Sequence, residues 1–324
     1  MPRFPIDVHL GEHGLLDSIA DDVRRGLSAQ QKFLLPKFFY DETGSLLFEQ
    51  ITELPEYYPT RTELSILTNI ASDLMQRVVP QELVELGSGS STKTRVLLDA
   101  RYSMGTSARY IPFDVSKTIV ESACEDLHGR YPDIAIHGVI GDFERHLGLI
   151  PPAVGRRLVL FMGSTIGNLE LSERLELLDG IRKLLSPGDF LLLGMDMVKD
   201  SAVLEAAYND AAGVTAAFNL NILNVINNAL QADFTVKEFR HHAHYNHELD
   251  RIEMHLYARS AQSVHITGLG MTVEIAKGES IWTESSHKFT QETAMSMIEE
   301  AGMCLDTWYT DSLHYYGLAL ITTR

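Results

Sequence analysis

From Gln81 to about Gly194, apolar runs alternate with amphipathic stretches, the pattern of an α/β sheet whose strands are mostly parallel. Glu82-Leu83-Val84-Glu85-Leu86 is the first run, and a helical stretch follows Thr92. Ala108 to Asp114 reads as a second strand, Thr118 to Leu127 as a helix, Ile134 to Ile140 as a third strand and Arg157 to Met162 as a fourth. Ser172 is expected to open a helix in which Leu175, Leu177, Leu178, Ile181 and Leu184 recur at helical spacing, and Ser186-Pro187-Gly188-Asp189 ends it. Phe190 to Gly194 is a fifth, buried strand. There the rhythm breaks. Residues 200–230 are rich in Ala, Leu and Asn and predict helices. Residues 236–282 predict short antiparallel strands, with turns at Thr267-Gly268-Leu269-Gly270 and Lys277-Gly278-Glu279. A helix at Gln291 to Ala301 and strands near Cys304 to Tyr309 and Tyr316 to Thr322 resume the first pattern. The expected fold class is a doubly wound α/β sheet interrupted by an inserted helical and β subdomain, with the N-terminal segment available to pack beside the insertion.

A length of 324 residues suits two domains, or one with a large insertion. Acidic residues outnumber basic ones 44 to 27, a net charge of −17, which is the wrong sign for releasing counterions from a phosphate backbone. No nucleic-acid partner is expected. Met1 to Ala20 lacks the continuous apolar core of a secretory signal, and no apolar run reaches membrane-spanning length, so the expectation is a cytoplasmic protein with no membrane partner. Cys124 and Cys304 stand far apart without metal or redox spacing and read as buried thiols.

Gly87-Ser88-Gly89 sits where the first strand turns into a helix, so the backbone can approach a ligand and present amides to it. A dinucleotide fingerprint or a phosphate-cradling loop would each need glycine at position 92, where Thr92 stands. Asp114 follows the second strand at about the interval of a ribose-binding carboxylate, and Gly141-Asp142-Phe143 follows the third with an acceptor and a ring for adenine. The bland readings are that Asp114 caps the helix beginning near Ser116 and that Phe143 is core. Taken together, these positions suit adenosine without pyrophosphate, hence S-adenosylmethionine.

The chain resembles the bacterial L-histidine Nα-methyltransferases of ergothioneine biosynthesis over nearly its whole length. The resemblance rests on Phe39-Tyr40-Asp41-Glu42-Thr43-Gly44-Ser45, Leu54 to Glu63, the glycine turn, Gly163-Ser164-Thr165-Ile166-Gly167-Asn168 and Thr283-Glu284-Ser285-Ser286. It implies a class I (Rossmann-like) methyltransferase domain at 63–197 and 288–324 and a substrate-binding domain at 14–62 and 198–287. It further implies that Gly87, Lys93, Asp114, Asp142 and Phe143 contact S-adenosylmethionine, and that Tyr57, Asn168, Tyr208, Glu284, Ser285 and Ser286 hold L-histidine, with Tyr40 near the amine. Glu284 and Ser286, two apart in an extended segment, would share a face and could meet the two nitrogens of an imidazole. Their bland reading is a polar edge strand.

The reaction implied is Nα-methylation of L-histidine, repeated three times to give hercynine, by a monomer with no dedicated catalytic base. A tryptophan derivative as acceptor is the alternative within the enzyme class. A nucleotide-binding regulatory module using Gly87 to Thr94 as a degenerate phosphate loop is the rival outside it. The run from His241 to His247 invites a metal, but only His242 and His244 would share a strand face and no carboxylate partner is readable. An exposed hairpin and no metal are expected there.

Overall fold

A computed structural model describes residues 4–10, 16–105 and 108–323. In chain order the early elements are β1 (Ile6–Val8), α1 (Leu16–Ser28), β2 (Lys32–Phe33), α2 (Glu42–Thr52) and α3 (Tyr58–Val78). Next come β3 (Glu82–Leu86), α4 (Thr94–Tyr102), β4 (Ala108–Asp114), α5 (Lys117–Arg130), β5 (Ile134–Ile136), β6 (Gly138–Ile140) and the one-turn α6 (Phe143–His146). They are followed by β7 (Arg157–Phe161), α7 (Leu171–Leu184), β8 (Phe190–Asp196), α8 (Ser201–Tyr208) and α9 (Val214–Leu230). The last are β9 (Phe239–Asn246), β10 (Arg251–Ala258), β11 (Gln262–Ile266), β12 (Met271–Ile275), β13 (Ser280–His287), α10 (Gln291–Glu300), β14 (Met303–Thr310) and β15 (Tyr316–Thr323).

Two compact units emerge. The first holds residues 4–10, 59–198 and 289–323; the second holds 16–58 and 199–288. The expected start of a substrate-binding domain at position 14 lies outside the described residues.

The sheet of the first unit runs β1-β6-β4-β3-β7-β8-β15-β14, with β5 also paired to β4. It is parallel from β1 through β8, and β15 and β14 close it antiparallel. From β3 the chain steps outward to β4 and β6, then returns to β7 and β8 on the other side. The topology therefore reverses beside the carboxyl end of β3, where open α/β sheets bind ligands. Strands β3 and β7 are buried at every position, which accounts for the apolar run Leu158 to Phe161 in β7, while β3 buries Glu82 and Glu85 beside its apolar residues. One apolar layer joins Val84, Ile111, Leu178, Ile181, Leu193 and Ile298; the opposite layer joins Leu67, Leu74, Leu83, Leu98, Val120 and Leu320.

Three local expectations are corrected. The third strand is split at His137, whose ring contacts Asp7 of β1 at 2.8 Å, so β1 pairs only with the second half. The helix expected at Ser172 starts at Leu171, because Glu170 forms a capping box with Glu173. Cys124 is buried, but Cys304 is only partly so.

In the second unit β2-β13-β10-β9 form a four-stranded sheet, and β11 and β12 a separate hairpin. Helix α9 begins where the Asp210 carboxylate accepts from the backbone amides of Val214 (2.8 Å) and Thr215 (2.7 Å). Asn209 ties the end of α8 to Ala243 of β9, and the Asn219 side chain of α9 bonds His241, so both helices lie on one face of the sheet. A bulge interrupts β13: Trp282 opposes His255 and Glu284 opposes Met254, leaving Thr283 as the extra residue. Its hydroxyl donates to the Met254 carbonyl at 3.0 Å. No helix of the described residues is long and apolar enough to cross a membrane.

Candidate functional site

In the first unit, Gly87 and Gly89 take φ of +68° and +50°, and a Cβ on either would meet nothing within 4 Å. Conformation, not crowding, therefore demands glycine here, and the space beyond the turn is open for a ligand. The turn is held from its sides and from below. Gly87 donates its amide to the Phe113 carbonyl at 2.8 Å, and Gly89 donates to Asp114 Oδ2 at 2.9 Å. Asp114 Oδ1 accepts from the Ser116 amide at 3.0 Å. The bland reading of Asp114 as the helix cap is not met, since Ser116 is the N-cap of α5 and carries no side-chain cap bond; Asp114 instead anchors the turn and closes onto the Ser116 amide, and each oxygen keeps a lone pair for a further donor. Burial pushes its pKa up, against the pull of these backbone amides.

Below the turn, Glu85 accepts from Thr94 at 2.6 Å and from the Tyr110 hydroxyl, which also contacts Ser91 Oγ at 2.8 Å. Burial raises Glu85 to about 7, the two hydroxyl donors holding it back from a larger shift.

The next two strand ends stay in register: Leu86 opposes Phe113, and Asp114 opposes Ile140, so Gly141-Asp142 lies one strand beyond Asp114. Asp142 caps α6 by accepting the Glu144 amide at 2.9 Å. Phe143 meets Phe161 edge to face at 5.4 Å while remaining partly exposed, so it is both core and available face.

Lys93 stands at the start of α4. Its ammonium pairs with Glu63 of α3, a residue with no solvent exposure. Glu63 also accepts from the Gly163 amide at 2.9 Å and from the Tyr316 hydroxyl at 2.8 Å. One buried carboxylate therefore joins α3, the start of α4, the turn after β7 and strand β15. The β7 turn carries left-handed Gly163 and Ser164 into a single 3₁₀ turn ending at Asn168, whose side chain makes no hydrogen bond to the described residues.

In the second unit the structure gathers most of the expected acceptor residues. Tyr57 and Tyr208 meet edge to face at 6.3 Å, and Tyr40 joins them through Phe48. The Tyr208 hydroxyl contacts Ser286 Oγ at 2.8 Å. Because the bulge resets the strand phase, Glu284 and Ser286 point to the helix-covered face. Ser285 opposes Glu253 on the other face, so its side chain is not part of this group.

Sequence reasoning missed Lys288. It is 4% exposed and donates to Ser286 Oγ (2.8 Å) and the Tyr208 hydroxyl (3.1 Å). The available signal was its spacing: 284, 286 and 288 share one parity. Glu284 is 9% exposed, and no described residue donates a hydrogen bond to its carboxylate. Burial raises its pKa to about 7, with Lys288 pulling the other way. A buried carboxylate without a donor, beside oriented hydroxyls, is a receptor for a cationic or N–H-bearing ring.

The expected exposed hairpin at His241 to His247 is corrected in part. His247 lies in the turn after β9, but His241 is turned inward, with Asn219 and the Tyr208 carbonyl each at 2.8 Å from its ring.

A family profile described as histidine-specific methyltransferase, SAM-dependent, matches residues 19–323. The chain is 49% identical to the histidine N-alpha-methyltransferase of Mycolicibacterium smegmatis, over 96% of this chain and 97% of that protein. It is 45% identical to the protein of the same name from Mycobacterium tuberculosis, over 98% and 99%. It is also 30% identical to ergothioneine biosynthesis protein 1 of Neurospora crassa, over 87% of this chain and 32% of that longer protein. An open glycine turn flanked by in-register Asp114 and Asp142 fits the adenosine of the methyl donor these similarities name, and the chain belongs to the S-adenosylmethionine-dependent, histidine-specific methyltransferase family.

Proposed function

We propose that this enzyme methylates the α-amino nitrogen of L-histidine three times, giving hercynine for ergothioneine biosynthesis, and that it acts as a monomer. The observation that carries the acceptor assignment is Glu284: a buried carboxylate with no described donor, on the same strand face as Ser286 and Lys288. Names of the 49% and 45% identical relatives support the same acceptor.

S-adenosylmethionine would supply an electrophilic methyl group: in each round the ammonium first gives one proton to water, and the neutral amine then forms the N–C bond as the C–S bond breaks. The chain's own residues bind and orient. Gly87 and Gly89 leave room for the donor, Asp114 accepts from ribose, and Asp142 with Phe143 frames adenine. Lys93, held by Glu63, adds positive charge beside the turn after β7.

For the acceptor, Glu284 takes the N–H of one ring nitrogen. Lys288 donates to both Ser286 and Tyr208, so when Tyr208 donates to Ser286, the Ser286 proton points to the other ring nitrogen. Tyr57 and Tyr208 hold the carboxylate, with Tyr40 nearby. Lacking a dedicated base, the enzyme relies on desolvation to favour the neutral amine and on positioning to align it.

Incubation with S-adenosylmethionine and an equimolar mixture of amino acids, followed by mass spectrometry, tests the acceptor and the product together. Histidine alone should gain one, two and finally three methyl groups. Methylation of tryptophan in preference to histidine, or products that stop at one methyl, would overturn the corresponding part. Size-exclusion chromatography with light scattering checks the monomer.

A further inference from the structure

On the sheet face away from α8 and α9, the register places His244 opposite Glu253, and His255 two residues further along β10. One ligating atom from each of the three lies within 4.8 Å of the others. Both imidazoles converge on one carboxylate oxygen: His244 Nε2 is 3.6 Å and His255 Nε2 is 3.4 Å from Glu253 Oε2. These separations exceed a good N–H to O hydrogen bond, yet they match the roughly 3.3 Å ligand-to-ligand edge of a tetrahedral site with bonds of about 2.0–2.1 Å. The remaining edge closes with modest side-chain rotation.

The carboxylate is already oriented for this. Its other oxygen, Oε1, accepts from Arg251 at 2.8 Å and Asn246 at 3.0 Å, which leaves Oε2 facing the rings. The Arg251 guanidinium is itself stacked over Trp282 at 4.7 Å. Neither ring is fixed by a hydrogen bond at Nδ1: in both His244 and His255 that atom is buried and makes none to the described residues. Among the described residues, the polar contacts of both rings are those with Glu253 Oε2. Two imidazoles and one carboxylate select a borderline divalent transition cation over calcium or magnesium, which prefer oxygen ligands.

We propose that His244, Glu253 and His255 form a binding site for one such cation, with zinc as its representative, water completing the coordination. The site clips β9 to β10 on the face of the sheet opposite to the one on which β13 presents Glu284, and it is independent of the acceptor assignment. The neighbouring Arg251 charge works against the cation, so binding is weaker than at an all-histidine or thiolate structural site.

Untagged, chelator-treated protein titrated calorimetrically with zinc chloride should take up one equivalent, whereas magnesium chloride gives no heat of binding. His244→Ala and Glu253→Gln should each weaken zinc binding by about 10-fold or more, as removal of a ligand costs at least what loss of an outer partner does. His247→Ala, in the adjacent turn, should bind as the parent does. Absence of zinc uptake by the parent, or uptake unchanged in both ligand variants, overturns the site. Because a variant could fail to fold, imidazole NMR of the parent provides a second reading: of 13 histidines, the pair His244 and His255 must shift on zinc addition. Unmoved signals for that pair also overturn it.

Discussion

Replacing Glu284 with glutamine separates the cost of holding a charge in the acceptor group from its use. Burial lifts Glu284 from an ordinary value of 4.5 to about 7. A shift of that size corresponds to about 3 kcal/mol between its protonated and ionised forms. Because the folded-state value lies above the unfolded one, the folded protein holds the proton more tightly. The stabilisation it contributes is fully present below about pH 4.5 and is lost as the pH rises through 7. Glutamine cannot ionise, and whatever its amide costs is the same at every pH. Urea unfolding of parent and Glu284→Gln protein without ligands, from pH 5 to pH 8, should therefore show the variant gaining relative stability. The gain should accumulate to about 2–3 kcal/mol across that range and level off above pH 7. At the same time the variant should lose histidine affinity while keeping donor affinity. A stability difference that stays constant from pH 5 to pH 8 would refute the buried-charge reasoning, whatever happens to binding.

Lys288→Met removes the charge that favours ionised Glu284, so the pH limb in histidine binding should move upward; an unmoved limb in a calorimetric pH series would deny their coupling. Asp114→Asn should weaken S-adenosylmethionine binding by about 10- to 100-fold, the worth of a charged hydrogen bond, with histidine affinity retained; equal losses would point to a collapsed turn instead. Lys93→Met strands the buried Glu63 and should cost about 3–5 kcal/mol in urea unfolding. The Lys93→Met, Glu63→Gln pair should be less destabilised than the sum of its singles. Burial drives the Cys124 thiol up to about 12, so a thiol reagent at pH 8 should leave it intact until the protein is unfolded.

The parallel sheet was legible because strands such as β7 and β8 are buried on both faces and leave apolar runs that no amphipathic helix would produce. β1 was not: three residues carry too short a pattern, and only pairing with β6 makes them a strand. Asp114 drew notice by its interval after the turn, but that its two oxygens tie Gly89 to Ser116 emerges only from where they point. Glu63 was invisible as an organising group, because its partners Lys93, Gly163 and Tyr316 lie 30, 100 and 253 positions away. The same holds for Glu253 and His255 beside His244, which depend on the register of β10 against β9. Strand parity correctly pairs Glu284 with Ser286, yet parity counted from Trp282 would have put both on the wrong face.

That discrepancy gives the bulge at Thr283 an evolutionary meaning. Ahead of it, Ile281 and Trp282 pair with Lys32 and Phe33, and Ile281 is fully buried, so the phase of that half is dictated by folding. After it, Glu284 and Ser286, the residues proposed to meet the acceptor ring, follow a phase of their own. One unpaired residue decouples the two, so the downstream tripeptide alternation can drift toward other amino acids as acceptors while the upstream half goes on holding the sheet together. Diversification of substrate in such a scaffold needs no change of fold, only new side chains behind a one-residue phase shift.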